Sequence, residues 1–113
     1  MGDSLPALAL VRDLLFASKI TSAAAAAGVE CRIIRQADRL SDQPGQVLLV
    51  DLNLPDAISA AARWGETTGG RVIGFVSHVD EATIAAARAA GLNEVLSRGQ
   101  FAQRLPELLK NRT

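Results

Sequence analysis

Three short runs of uninterrupted apolar residues stand out along the chain: Ala7 to Val11 (ALALV), Val47 to Val50 (VLLV) and Val72 to Val76 (VIGFV). Short apolar runs without polar alternation are how strands read when both faces of their sheet are covered. Val29 to Ile34 (VECRII) alternates apolar and polar positions, which predicts a strand nearer the sheet edge, and Glu94 to Leu96 predicts a short last strand. The intervening segments carry helix signals. Leu15 to Ala27 is alanine-rich and stops at Gly28, predicting a helix with a left-handed cap. Ala37 to Gln46 holds Asp42, Pro44 and Gly45 and leaves room only for a short helix. Asp56 is placed to cap a helix through Ala57, Ile58, Ala61 and Ala62 towards Trp64, closed by Gly69 and Gly70. Asp80 is placed to cap another, with Ile84, Ala87 and Ala90 on one face and Gly91 at its end. After Gly99, Pro106 suits a first helical position better than an interior, so the last regular helix is expected near Leu105. A strand–helix unit repeated five times implies an α/β fold with a parallel sheet and helices on both faces.

The length of 113 residues suits one hydrophobic core, and no repeat or linker divides it, so residues 1–113 are read as one domain. Lys plus Arg and Asp plus Glu number 12 each, which leaves no overall field to attract nucleic acid or an anionic membrane. Cys31 is the single cysteine, so it forms no internal disulfide, and no His or second Cys is spaced to share a metal with it. It is read as a small hydrophobe, and its isolation fits a reducing compartment. No signal peptide or membrane-length apolar run is evident, and the expected location is the cytoplasm. Trp64 is read as helix packing.

Candidate chemistry gathers where an open parallel sheet binds ligands, in the crevice beyond the carboxyl ends of its strands. Asp13 follows the first strand, Asp51 the third, Ser77 the fourth and Arg98 the fifth. Each alone is an ordinary polar residue at a water boundary, and their joint occurrence carries more weight.

The stretches VLLVDLNLP (Val47 to Pro55), VIGFVSH (Val72 to His78) and AARAAGLNEVLSR (Ala86 to Arg98), with a closing FAQRLPELL, resemble the receiver domain of bacterial two-component response regulators over nearly the whole chain. The resemblance implies a flavodoxin-like (CheY-like) fold, with a five-stranded parallel sheet ordered 2-1-3-4-5. It also implies that Asp51 is the residue that accepts a phosphoryl group from a histidine kinase. An acidic pair after the first strand, Asp51 and the carbonyl of Asn53 would hold Mg2+, while Ser77 and a lysine at the position of Arg98 would contact the phosphoryl oxygens.

Several positions depart from that pattern. Arg12 and Asp13 stand where the family has two acids, Arg98 replaces the lysine, Gly99 the following proline, Val95 the switch aromatic, and His78 a small residue beside the site. The usual three carboxylates around one lysine sum to a formal charge of about minus two, which magnesium neutralises. With Arg12 in the pocket, Asp13 and Asp51 would face Arg12 and Arg98 and that reason for an ion is gone. At about 4 Å and an effective dielectric near 20, a cation beside Asp51 is worth roughly 4 kcal/mol and would hold it ionised. With Arg12 turned to solvent, Asp13 and Asp51 stay available to a weak metal site. Arginine also offers a planar fork where lysine offers a point charge.

The expectation is therefore a stand-alone, receiver-like signalling module that acts by protein–protein interaction, without the ordinary Mg-dependent phosphorylation and without a cofactor. The alternative is a functional single-domain response regulator, phosphorylated on Asp51 and catalysing its own phosphorylation and dephosphorylation with Mg2+. By family analogy a partner, or a second copy of the chain, would contact the face of the fourth helix, fifth strand and fifth helix, including Ala87, Leu92, Val95, Phe101, Leu105 and Leu108. No other enzyme class is indicated. The chain lacks a Gly-x-Gly-x-x-Gly dinucleotide loop, a Walker sequence and the Asp-x-Asp pair of a phosphatase.

Overall fold

The computed structural model describes residues 5–41, 43–78, 80–92 and 94–110. Asp42 of the expected short-helix segment and Asn93 of the run into the last strand lie outside the described residues. The order of elements is β1 (Ala7–Leu10), α1 (Leu14–Ala26), β2 (Cys31–Ile34), a short 3-10 turn (Ala37–Arg39), β3 (Val47–Asp51), α2 (Ala57–Thr68), β4 (Arg71–Val76), α3 (Glu81–Ala89), β5 (Glu94–Ser97) and α4 (Arg98–Lys110). The strands form one parallel sheet in the order β2-β1-β3-β4-β5, as the apolar runs and the resemblance lead one to expect.

Side chains alternate across each strand and build two apolar layers. Ala7, Ala9, Val47, Leu49, Ile73 and Phe75 meet Phe16 and Ile20 of α1 and Phe101, Leu105, Leu108 and Leu109 of α4. Leu8, Leu10, Leu48, Val50 and Val76 meet Leu40 after the 3-10 turn, Ala57, Ala61 and Trp64 of α2, and Ala87 of α3. Trp64 is fully buried as packing, and its indole N–H donates to the Gln43 carbonyl at 2.8 Å. Gly70 is required beside it, because a Cβ there would collide with the Trp64 ring. Cys31 is half-buried and burial pushes its thiol up to about 11, consistent with a neutral apolar role.

Three local expectations change. Among the described residues the segment after β2 makes only the 3-10 turn, so four regular helices accompany five strands. Asp56 occupies the cap position of α2 in a left-handed conformation (φ 62°), but its side chain makes no capping bond. Finally, α4 begins at Arg98 instead of near Leu105 and carries Pro106 inside it. A reciprocal capping box explains that early start: the Gln100 N–H donates to the Ser97 hydroxyl at 3.1 Å, and the Ser97 N–H donates to Gln100 Oε1 at 3.1 Å. Pro106 forfeits one helical hydrogen bond, and the helix continues through it because Phe101, Leu105, Leu108 and Leu109 bury one continuous stripe.

The same burial corrects the expected docking surface. Phe101, Leu105 and Leu108 are 0%, 1% and 2% exposed, Ala87 is fully buried and Leu92 is 5% exposed, while Val95 is half-buried against the α2–α3 layer. These residues face the sheet because each helix must bury its apolar stripe there, and a contact through this face would meet Gln103, Arg104 and Glu107 instead.

Candidate functional site

Asp13, Asp51, Ser77 and Arg98 meet at the carboxyl ends of β1, β3, β4 and β5. This is the edge of the sheet where the strand order reverses between β1 and β3.

Asp51 is the last residue of β3 and half-buried. Its Oδ1 accepts the Asn53 backbone N–H at 3.0 Å and the Ser77 hydroxyl at 3.4 Å. Both bonds use the same oxygen, and Oδ2 has no hydrogen-bond partner among the described residues. Burial raises the Asp51 pKa, opposed by the bonds from Asn53 and Ser77 and by the nearby charge of Arg98. The folded pKa therefore lies above the unfolded one, and stability falls as pH rises through it. Ionising Asp51 therefore costs more in the folded protein than in the unfolded chain. Asp51→Asn is expected to raise Tm at pH 7, with the gain shrinking below about pH 4, where the carboxyl is protonated in both states. Thermal unfolding followed by circular dichroism across that range checks the sign; a lower Tm for the variant at pH 7 would contradict it.

Asp13 has both oxygens committed. Oδ1 caps α1 by accepting the Leu15 and Phe16 N–H groups at 2.9 and 3.2 Å, and Oδ2 accepts from Arg98 Nη2 at 2.7 Å. The Arg98 guanidinium and the capped backbone amides hold its carboxyl below the usual range. Arg98 also lies over Phe16, 4.3 Å from the ring centroid, so a cation–π contact fixes the guanidinium across the start of α1.

Arg12 does not enter the pocket beside Asp51. Its Nε donates to the Arg35 carbonyl at 3.0 Å, and Arg35 Nη2 donates back to the Arg12 carbonyl at 3.5 Å. The guanidinium turns towards β2, where an unsatisfied carbonyl at the strand end accepts it, and Arg98 is the cation that acts on Asp51.

Sequence reasoning assigned Asn53 only a backbone carbonyl at the site. Its side chain also joins two loops: Asn53 Oδ1 accepts the Ser77 N–H at 2.8 Å and the His78 N–H at 3.0 Å, and it lies 3.1 Å from the Ser77 hydroxyl, whose single proton it shares with Asp51. This clasp ties the loop after β3 to the loop after β4 and holds Ser77 beside Asp51. The Asp-Leu-Asn spacing was its available signal, since a side chain two residues beyond a strand end can reach the next loop. His78 is solvent-exposed and reaches the site through its backbone N–H. Among the described residues no group of three or more His, Cys, Asp or Glu side chains converges to hold a metal.

A hollow of about 420 Å³ lies at the other end of β4 and β5, lined by Gly65, Gly70, Ala90 and the Arg71–Glu94 ion pair. Arg71 and Glu94 are the first residues of their strands, so this hollow is remote from Asp51. No helix among the described residues is long and apolar enough to cross a membrane.

No protein-family model and no curated protein matches the chain. Solved structures do. A CheY-like response regulator receiver domain protein from Methanospirillum hungatei JF-1 aligns with a TM-score of 0.77 at 14% identity, covering 97% of each chain. A response regulator from Thermotoga maritima gives 0.70 at 17% identity, covering 94% of this chain and 95% of its own. The receiver domain of a sensor histidine kinase from Pseudomonas aeruginosa PAO1, solved with magnesium in its active-site cleft, gives 0.78 at 15% identity, covering 97% and 98%. With its strand order, its site at the strand tips and these neighbours, the chain has the CheY-like, flavodoxin-like fold of response-regulator receiver domains.

Proposed function

We propose that this chain is a receiver-like signalling module that works by docking to another protein, and that Asp51 is not phosphorylated by the ordinary magnesium route. The observation that carries this reading is the 2.7 Å pair between Arg98 and Asp13. Magnesium selects a rigid octahedron of oxygen ligands and is usually drawn in by carboxylates. Here one acid of the expected pair is Arg12, turned to Arg35, and the other already caps a helix and binds a guanidinium. That leaves Asp51 and the Asn53 carbonyl, which is a poor donor set for the ion. The same pair engages on Asp13 the cation that would otherwise be available to phosphoryl oxygens on Asp51.

A second reading rests on different observations. Arg12 leaves the pocket, Asp51 keeps Oδ2 without a partner among the described residues, and the Ser77 hydroxyl stands 3.4 Å from its other oxygen. Those features suit a phospho-acceptor, and the reaction would then be acyl-phosphate formation on Asp51 followed by hydrolysis.

Titration with magnesium and beryllofluoride, followed by amide NMR, separates the two. The expected result is no saturable response centred on Asp51, Ser77 and Arg98 at millimolar magnesium. Large shifts at those residues that disappear in Asp51→Asn would overturn the proposal and establish the second reading.

A further inference from the structure

We propose that the carboxyl ends of β1 and β2 form a docking site for an acidic protein segment, centred on Arg12, Arg35 and Arg39. This inference deepens the docking function proposed above and rests on it for its biological meaning. The chain carries equal numbers of acidic and basic side chains, so a cluster of one sign reflects local segregation of charge. Arg12 and Arg35 each donate to the other's backbone carbonyl, which anchors both guanidinium groups at the tips of β1 and β2. Arg35 and Arg39 line an open groove of about 470 Å³ together with Ile33, Ile34, Gln36 and Gln43. Among the described residues none of the three arginines has a carboxylate within ion-pair distance. Of the acids near them in sequence, Asp13 pairs with Arg98, Glu30 pairs with Arg32, Asp38 makes no ion pair with a described residue, and Asp42 lies outside the described residues.

Three cations gathered at one end of the sheet, none in an ion pair among the described residues and with Asp38 as the one described acid in their segment, repel, and a negative partner relieves that repulsion on binding. The groove's lining determines which partner fits. Its isoleucines offer apolar contact and its glutamines pair with backbone amides, so the site matches carboxylates interleaved with aliphatic residues on an extended chain. A small inorganic anion would use only the guanidinium groups. The segment would lie along β2, which pairs with β1 alone among the described strands and leaves its outer edge open. An edge of this kind presents unpaired backbone groups to an extended segment.

The test is fluorescence anisotropy with a labelled peptide alternating glutamate and leucine, against a lysine–leucine counterpart and inorganic phosphate, with amide NMR to locate the contact. The expected result is saturable binding of the acidic peptide alone, weakened by salt, with shifts at Ile33, Gln36, Arg39 and Gln43. Arg35→Glu with Arg39→Glu should weaken it by about tenfold or more while the circular dichroism spectrum stays unchanged. Absence of binding, shifts spread over the whole surface, or affinity indifferent to the double reversal would overturn the site. Phosphate binding at the same residues with no gain from the peptide would overturn peptide docking in favour of a small-anion site. A beryllofluoride titration of the same sample keeps the readings separate, because a response at Asp51 refutes the phosphorylation-independent function and leaves the acidic docking site standing.

Discussion

Phe101→Ala is expected to lower the free energy of unfolding by about 3–5 kcal/mol, read as a reduced urea midpoint with an unchanged slope. Phe101 is fully buried and stacks on Phe75 with ring centroids 4.4 Å apart, while Phe16 lies 5.1 Å from Phe75 and 5.7 Å from Phe101. Removing one ring of three leaves a cavity that rigid neighbours on α1 and β4 fill poorly. Domains of this kind are typically stable by only about 5–15 kcal/mol, so the loss is a large fraction of the total. The prediction also separates two roles for α4. If Phe101 were an exposed docking residue, truncation would weaken association and leave unfolding nearly unchanged. Its place in the core predicts the reverse, and a shift under about 1 kcal/mol would contradict that placement.

Arg12→Glu combined with Arg98→Lys is expected to create magnesium affinity, strengthening binding by about tenfold or more over the unmodified chain in calorimetric titration. The first change restores a second carboxylate beside Asp13. The second removes the guanidinium that donates to Asp13 and lies over Phe16, leaving a more mobile point charge. The single variants distinguish the two physical causes. If Arg12 occupied the metal position, Arg12→Ala alone would open the site. Since Arg12 is turned to the Arg35 carbonyl, Arg12→Ala should change metal affinity little, and Arg98→Lys should account for more of the gain. Magnesium binding produced by Arg12→Ala alone would show that Arg12 acts on the pocket after all.

Both experiments turn on side-chain direction, and that is where sequence reasoning reached its limit. Asp51 was legible because it ends a continuous apolar run, and a polar residue there has to emerge at the strand tip. Asp13, Ser77 and Arg98 were legible for the same reason. Arg12 was not, because a long side chain at a loop mouth can turn towards either neighbouring strand, and only the position of the Arg35 carbonyl selects one. The start of α4 was partly legible: Ser97-Arg98-Gly99-Gln100 carries a capping-box spacing, but Pro106 is the louder local signal and pointed to a later start. Phe101, Leu105 and Leu108 were recognised as one apolar face, and the error lay in what that face meets.

Taken alone, the amino-acid sequence determined the alternation of strands and helices, the parallel sheet with both faces covered, and the four polar residues at or just beyond the strand ends. Those properties follow from apolar periodicity and glycine punctuation, which act over a few neighbouring residues. Tertiary structure decided that Arg98 binds Asp13 across the sheet, that Arg12 joins Arg35, that Asn53 clasps Ser77 and His78, and that the apolar face of α4 is core. Each of these joins residues far apart in the chain or depends on which neighbour covers a surface, so the folded arrangement alone supplies the partner.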